Sequence, residues 1–316
     1  MIMDDKEILQ LLRNDFGVSV CNLKRVKSGN IKTVFSFTYE RKEYVIRFSK
    51  GNNEFETEQF LYKLTHKNDH MARLIKIGTY KNLYYSITER VKGCPLKELN
   101  LSKVKTIIPQ LIESVTCIHQ TDLTPSCGYG WIKDGNGCFS SFRELIETHF
   151  KQEQNGFWND WYTLFEDSFL DYDSFMTLYK EMVRLSPYSD GQRFLTHGDF
   201  HFSNIFSDGK MITGIIDWGN VMYGDFILDI AMLHMLYPSL NFKEAFKNYY
   251  NTHQIKVENY DKRFICMSLF KGLDTLRFAA KTGDRPFYKS LLNYLQELIA
   301  QKKAEDSSYF SHSYKK

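Results

Sequence analysis

Two histidines, three aspartates and an asparagine fall within LTHGDFHFSNIFSDGKMITGIIDWG, residues 195–219, around two short apolar runs. Residues of these types at these spacings could do two kinds of chemistry. His197, Asp199 and His201 occupy alternate positions, so on an extended strand they would face one way and could hold a metal for hydrolysis. Asp199 and Asn204 are five residues apart. At that spacing one loop can offer a carboxylate to an attacking hydroxyl and an amide oxygen to magnesium. Asp217, closing the apolar run GIID, would then be the second metal ligand of a phosphoryl-transfer site. The histidine-based set leaves Asn204 without a role and finds no further histidine nearby except His234. A plain polar hairpin is the third possibility, and it accounts for none of the spacing.

A transfer site must be held by a scaffold that also covers a phosphate chain, and the sequence changes texture in a way that suits one. DDKEILQLLRNDF (4–16) carries Ile8, Leu11 and Leu12 at helical spacing behind an acidic first turn. From Cys21 to Phe48, segments rich in Val, Phe, Tyr and Ile alternate with polar turns, which predicts antiparallel strands. EFETEQFLYKLTHK (54–67) returns to helical spacing, and LIKIGTYKNLYYSITERV (74–91) reads as another strand pair turning at Tyr80 to Asn82. Beyond KGCPL helical periodicity dominates. It runs from Leu96 to about Phe150, interrupted by the Gly-rich loop CGYGWIKDGNG (127–137), then from Trp158 to Leu185 and from Asp229 to Gln301. The expected architecture is α+β and two-lobed. A small antiparallel β lobe with its hinge spans 1–92, a mainly helical lobe with one short β-hairpin spans 93–302, and a flexible tail follows over 303–316.

Composition narrows the partners. With 316 residues and 43% hydrophobic content, the chain can bury a core of that size. A net charge of +3 is too small to argue for a nucleic-acid or membrane partner. Its distribution is more telling: 17 basic and 11 acidic residues lie up to Lys92, leaving 24 and 27 for the remainder. The front therefore suits an anion, and the rest tolerates a cation. The six cysteines form no C-x-x-C pair, the N-terminus is acidic, and no apolar run approaches a membrane span. A reduced, cytoplasmic protein is expected, and a monomer.

VKSGNIKTVFSF places a polar turn, Ser28 to Thr33, between the first two strands, where it could cover phosphates. YVIRF offers Arg47 as the cation that holds them, and Glu58 on the following helix could fix that cation. Read alone, Arg47 suits an edge strand facing water better. Together with the 195–219 segment it favours phosphoryl transfer.

These residues resemble the aminoglycoside phosphotransferases, small-molecule kinases with the protein-kinase fold, and within them most closely the hygromycin B phosphotransferases. THGDFHFSNIF matches the family's H-[GA]-D-x-x-x-x-N loop, and GIIDWGNVMYGDFILDIA matches its I-D-W followed by G-D-x-x-x-D. The closer likeness draws on VKSGNIKTVFSF, on EYVIRF, on CGYGWI with SFRELI, and on KGLDTL, so it covers nearly the whole chain. The resemblance implies a protein-kinase-like fold. It also implies transfer of the γ-phosphate of ATP, with Mg2+, to a hydroxyl of an aminoglycoside or aminocyclitol such as hygromycin B, which is antibiotic resistance by modification. Asp199 would be the catalytic aspartate, Asn204 and Asp217 the magnesium ligands, and Arg47 the phosphate cation paired with Glu58. Ser28, Gly29, Asn30 and Thr33 would cover the phosphates, and Glu89, Arg90 and Val91 would form the hinge that meets the adenine. His197 and Asp225 would support the loop, while Asp229 suits loop support or helix capping. Where the family often carries a small or polar residue, this chain has His201 and Phe202.

A cationic acceptor calls for carboxylates, and Asp134, Asp274 and Asp284 are the candidates. Their ordinary alternatives are a turn residue, a helix-face salt bridge and a loop residue. A housekeeping kinase of choline, a methylthio-sugar or another small alcohol would share the same loop. A non-catalytic nucleotide-binding or structural protein is the alternative from another class, and the intact trio of Asp199, Asn204 and Asp217 speaks against it.

Overall fold

The alternating front of the chain forms a five-stranded sheet of β1 (Cys21–Val26), β2 (Thr33–Tyr39), β3 (Lys42–Ser49), β4 (Leu74–Tyr80) and β5 (Leu83–Glu89). The order is β1-β2-β3-β5-β4 and every pair is antiparallel. This computed structural model describes residues 4–26, 33–51, 53–65 and 70–313. Tyr44, Ile46 and Phe48 alternate onto one face of β3 and join Phe35, Phe37, Tyr85 and Ile87 in a core closed by Ile8, Leu11 and Leu12 of α1 (Asp5–Phe16). Burying a side chain such as Ile46 completely contributes about 1.5–3 kcal/mol. Arg47 lies between Ile46 and Phe48, so the period of two turns it to the opposite face, toward α2 (Asn53–Leu64). Because β3 is the central strand, Arg47 is not an edge cation.

Further along come β6 (Cys94–Pro95), α3 (Leu101–His119), β7 (Tyr129–Lys133), β8 (Asn136–Phe139), α4 (Phe142–His149), α5 (Leu164–Asp167) and α6 (Tyr172–Leu185). After them run β9 (Phe194–Thr196), β10 (Ile205–Ser207), β11 (Ile212–Ile215), β12 (Met222–Gly224), α7 (Ile227–Leu236), α8 (Phe242–Thr252), α9 (Tyr260–Thr282) and α10 (Arg285–Ser313). Two compact units result. One comprises Met1–Asp122, Lys133–Gly135 and Phe202–Asn220; the other comprises Leu123–Ile132, Asn136–His201 and Val221–Lys316. The first, β-rich unit takes in α3 because that helix supports the β10–β11 hairpin, with Gln110 Oε1 accepting from the Ile212 amide at 2.6 Å.

Two stretches differ from the expectation. The Gly-rich stretch 127–137 is not a loop but carries a strand pair, β7 and β8, turning at Asp134 (φ 49°) and Gly135 (φ 81°), both left-handed as a tight two-residue turn requires. Its glycines hide the strand pattern, yet Gly137 is needed there: a Cβ would lie 2.4 Å from the Tyr129 nitrogen. With β12 and β9 these strands make a four-stranded sheet, β8-β7-β12-β9, where a single hairpin was expected. The block from Trp158 to Leu185 is not one helix either. Asp160 adopts φ 54°, one short 3-10 turn and α5 follow, and α6 starts afresh where Asp171 accepts from the Ser174 amide at 2.8 Å. In this helical unit α9 is the central element, burying Phe264, Cys266, Met267, Leu269, Leu273 and Leu276. Among the described residues no helix is long and apolar enough to cross a membrane.

Candidate active site

The helical unit carries one group of candidate residues at the end of β9. The strand stops at Thr196, and Gly198 turns the chain with φ 73°, so His197, Asp199 and His201 do not alternate along a strand. His197 is fully buried and its Nδ1 accepts from the Asp199 amide at 3.3 Å. Asp229, buried in the first turn of α7, accepts from the His197 and Gly198 amides, both at 2.9 Å. It therefore satisfies two loop donors that burial would otherwise strand. Asp225 works elsewhere. Arg263 grips both its oxygens at 2.7 and 2.8 Å, Ser189 Oγ donates to it at 2.9 Å, and it accepts from the Ile227 amide at the start of α7. Among the described residues no three His, Cys, Asp or Glu side chains gather as a metal-binding group.

The Asp199 carboxylate is a quarter exposed and faces two side chains that can carry positive charge. His201 Nε2 lies 3.5 Å from Oδ2, and Lys271 Nζ, arriving from α9, lies 3.8 Å from Oδ1. Burial pushes the carboxyl upward, but the hydrogen bond from His201 and the charges of Lys271, His201 and His197 outweigh it and hold the pKa at about 2. Lys271 also donates to the Gly198 carbonyl at 3.0 Å. Sequence reasoning did not single it out; its only signal was the segment KGLDTL.

The β-rich unit carries a second group around the β10–β11 hairpin. Ile205 pairs with Ile215, and the Ile216 amide donates to the Asn204 carbonyl at 2.9 Å, so Asn204 and Asp217 flank the same end of that hairpin. Asp217 adopts φ 65°, a left-handed conformation that Asp tolerates better than most residues. Trp218 Nε1 donates to the Ile215 carbonyl at 3.0 Å and pins the turn. A cleft of about 190 Å³, counting its open mouth, is lined by Arg47, Glu54, Phe55, Glu58, Asp217, Trp218 and Gly219. In it, Arg47 Nη2 donates to Glu58 Oε2 at 2.5 Å and to Ser86 Oγ at 2.8 Å. Its Nε is buried with no hydrogen-bond partner among the described residues. An orphaned buried donor fits an anionic oxygen, and the amide oxygen of Asn204 with the carboxylate of Asp217 is the hard-oxygen set that magnesium takes.

Other expected site residues are placed as follows. Ser28, Gly29 and Asn30 lie outside the described residues, while Thr33 opens β2 opposite Phe48. At the expected hinge, the Glu89 amide donates to the Arg73 carbonyl and the Arg90 amide to the Glu43 carbonyl, both at 2.9 Å. Val91 packs so closely on Gly214 that a Cβ there would lie 2.6 Å from its Cγ1. Asp134 is the exposed turn residue between β7 and β8, and exposed Asp284 accepts from the Phe287 amide at 3.1 Å at the start of α10. Asp274 lies on α9 one turn beyond Lys271, its Oδ1 bonded to His149 Nε2 and Arg277 Nη2, each at 2.9 Å. Burial pushes its carboxyl up, but His149, then Arg277 and Lys271, hold it well below the usual carboxylate range.

The family model of the phosphotransferase enzymes known as APH matches residues 22–263, and the chain belongs to that family. The hygromycin-B 4-O-kinase of Escherichia coli is 24% identical over 271 residues, in a match that covers 82% of this chain and 74% of that protein. A thermostable mutant of aminoglycoside phosphotransferase APH(4)-Ia, crystallised as a ternary complex with AMP-PNP and hygromycin B, shares the fold with a TM-score of 0.79. The two are 22% identical, and the match covers 93% of this chain and 98% of that one. Spectinomycin phosphotransferase APH(9)-Ia, solved with ADP and spectinomycin, matches at a TM-score of 0.58 and 15% identity over 94% and 95% of the two chains. The fold is the kinase-like α+β arrangement expected from the sequence, with an antiparallel sheet in the first lobe and helices dominating the second.

Proposed function

We propose that the chain transfers the γ-phosphoryl group of ATP to a hydroxyl of an aminoglycoside or aminocyclitol, with hygromycin B as the first acceptor to test. The observation that carries the transfer chemistry is Arg47, fixed by Glu58 and Ser86 with a buried, unbonded Nε in a cleft that Asp217 also lines. Such a donor is suited to the oxygens of a phosphate tail. Asn204 and Asp217 would hold magnesium, which when bound neutralises the charge of the phosphates. Thr33, with Ser28, Gly29 and Asn30, would cover the phosphate tail, and Glu89, Arg90 and Val91 would meet the adenine.

Asp199 would accept a hydrogen bond from the acceptor hydroxyl and aim its oxygen at the γ-phosphorus. Held at about 2, it is a weak base. Weakness is acceptable in a loose transition state, where the hydroxyl keeps its proton until late. As the new O–P bond forms, the bond from the γ-phosphorus to the β,γ-bridging oxygen breaks, and the proton passes to Asp199. The products are a phosphorylated alcohol and ADP. A cationic acceptor is favoured by the acidic surplus beyond Lys92 and by Asp274, which is anchored through Oδ1 yet a quarter exposed. Asp134 and Asp284 are the exposed candidates that complete this set. Mg-ATP with a panel of aminoglycosides, choline and neutral sugar alcohols, read as ADP release, tests the proposal. Stimulation by hygromycin B supports it; stimulation by choline or a neutral sugar alone replaces the acceptor and leaves the transfer chemistry standing.

A further inference from the structure

Lys271 crosses from α9 to a loop 73 residues earlier in the chain and meets two of its groups at once. Its Nζ donates to the Gly198 carbonyl at 3.0 Å and stands 3.8 Å from Asp199 Oδ1, with the side chain only 15% exposed. The second carboxylate oxygen faces His201 Nε2. Both oxygens of Asp199 thus have a cation-capable neighbour, one from within the loop and one from outside it. Asp229 secures the backbone of the same loop through the His197 and Gly198 amides. Gly198 is consequently held through both of its backbone polar groups, its N–H donating to Asp229 and its carbonyl accepting from Lys271.

Lys271 is itself mounted on a rigid element. Its helix buries Leu269, Phe270, Gly272 and Leu273 around it, and a Cβ on Gly272 would lie 2.6 Å from Leu295 Cδ1 of α10, so the two helices are in close contact. One turn further, Asp274 is clamped by His149 and by Arg277, whose guanidinium lies 3.9 Å over the Trp158 ring. A lysine side chain is long and loses much rotamer freedom when ordered, so a nearly buried lysine that grips a loop carbonyl and an adjacent carboxylate is unlike a solvated surface ion pair.

From this geometry we propose that Lys271 is a positioning residue for phosphoryl transfer, fixing the direction of the Asp199 carboxylate by tying the Gly198–Asp199 turn to α9. The proposal rests on Asp199 being the group that orients the acceptor hydroxyl. It assigns to Lys271 no contact with nucleotide or acceptor. Its loss misdirects Asp199 without emptying either binding site, because a small misplacement of a reacting group is costly to rate even when binding survives.

Lys271→Met and Lys271→Arg test this together. Lys271→Met lowers kcat by about 10- to 100-fold while KM for ATP stays within about twofold, and Lys271→Arg, which keeps the charge and reach, recovers most of the loss. A kcat for Lys271→Met within twofold of wild type overturns the proposal. So does a fall that Lys271→Arg does not repair and that is matched by loss of thermal stability, since that is general unfolding. Hydrogen exchange gives a readout independent of turnover. The peptide spanning residues 197–201 exchanges severalfold faster in Lys271→Met and returns toward wild type in Lys271→Arg, while the peptide carrying Arg47 is unchanged. Unaltered exchange at 197–201 overturns the proposal even if wild-type protein phosphorylates no acceptor in the panel, an outcome that would separately remove the proposed function.

Discussion

The two compact units hold charge in opposite senses. In the β-rich unit a cation, Arg47, is fixed by an anion, Glu58, and keeps one buried donor unbonded. In the helical unit an anion, Asp199, is flanked by His201 and Lys271, while a second carboxylate, Asp229, secures its loop backbone. The division between the units falls between His201 and Phe202, inside the loop that carries both Asp199 and Asn204. One loop therefore delivers an aspartate to one unit and an asparagine to the other. Each unit organises its own charges with its own residues, the condition under which fixed dipoles and charges act on a reaction without reorganising during it.

Variants that strike one unit at a time should break this symmetry in distinguishable ways. The largest effect is expected from Asp217→Ala, which abolishes turnover and the magnesium dependence of nucleotide binding, as read by ADP release and calorimetry with and without magnesium. His201→Ala leaves that metal requirement in place. Stoichiometric zinc lost on His201→Ala would instead restore the hydrolase alternative. Next comes Asp229→Ala, which leaves the His197 and Gly198 amides buried without their acceptor at about 1–3 kcal/mol each. Its urea midpoint and kcat fall together, yet nucleotide affinity holds, because Arg47 and Asp217 belong to the other unit; a parallel loss of affinity would show that the units are not organised independently. Glu58→Gln weakens a charge-assisted bond worth about 1.5–3 kcal/mol and raises KM for ATP roughly tenfold, with KM for the acceptor unchanged. The smallest effect is that of salt. Shortening the Debye length from about 10 Å at 0.1 M to about 3 Å at 1 M raises KM for a cationic acceptor severalfold and leaves a neutral one unaffected.

How much of this was legible in the sequence follows from how local each signal is. The residue types of EYVIRF predicted a strand carrying Arg47, and the helix carrying Glu58 follows at once, so that pair could be named. The spacing from Asp199 to Asn204 survives as a loop leading into β10. The β7–β8 strands were hidden because Gly128 and Gly137 meet close backbone approaches and Gly130 meets the Phe139 ring, so glycines stand where an apolar pattern would show. Asp225 and Asp229, four residues apart, look equivalent in G-D-x-x-x-D. Only the buried Arg263 beside Asp225 and the loop amides beside Asp229 separate them. Lys271 was missed for a related reason: Asp199 and Gly198 lie 72 and 73 residues away, and KGLDTL names neither of them.

The central claim is that Asp199 orients the hydroxyl rather than acting as a strong base. Its lowered pKa contributes stability that is present above the ordinary carboxylate value and lost only as pH falls through about 2, so between pH 5 and 9 it alters neither stability nor its own charge. The most direct test is single-turnover transfer by Asp199→Asn with saturating Mg-ATP and acceptor across that range, alongside the dissociation constant for Mg-ATP. The account predicts a rate at least about 10²-fold below wild type at every pH, with nucleotide affinity within a few-fold. A near-normal rate in Asp199→Asn, or a loss of nucleotide affinity that explains the deficit, would contradict it.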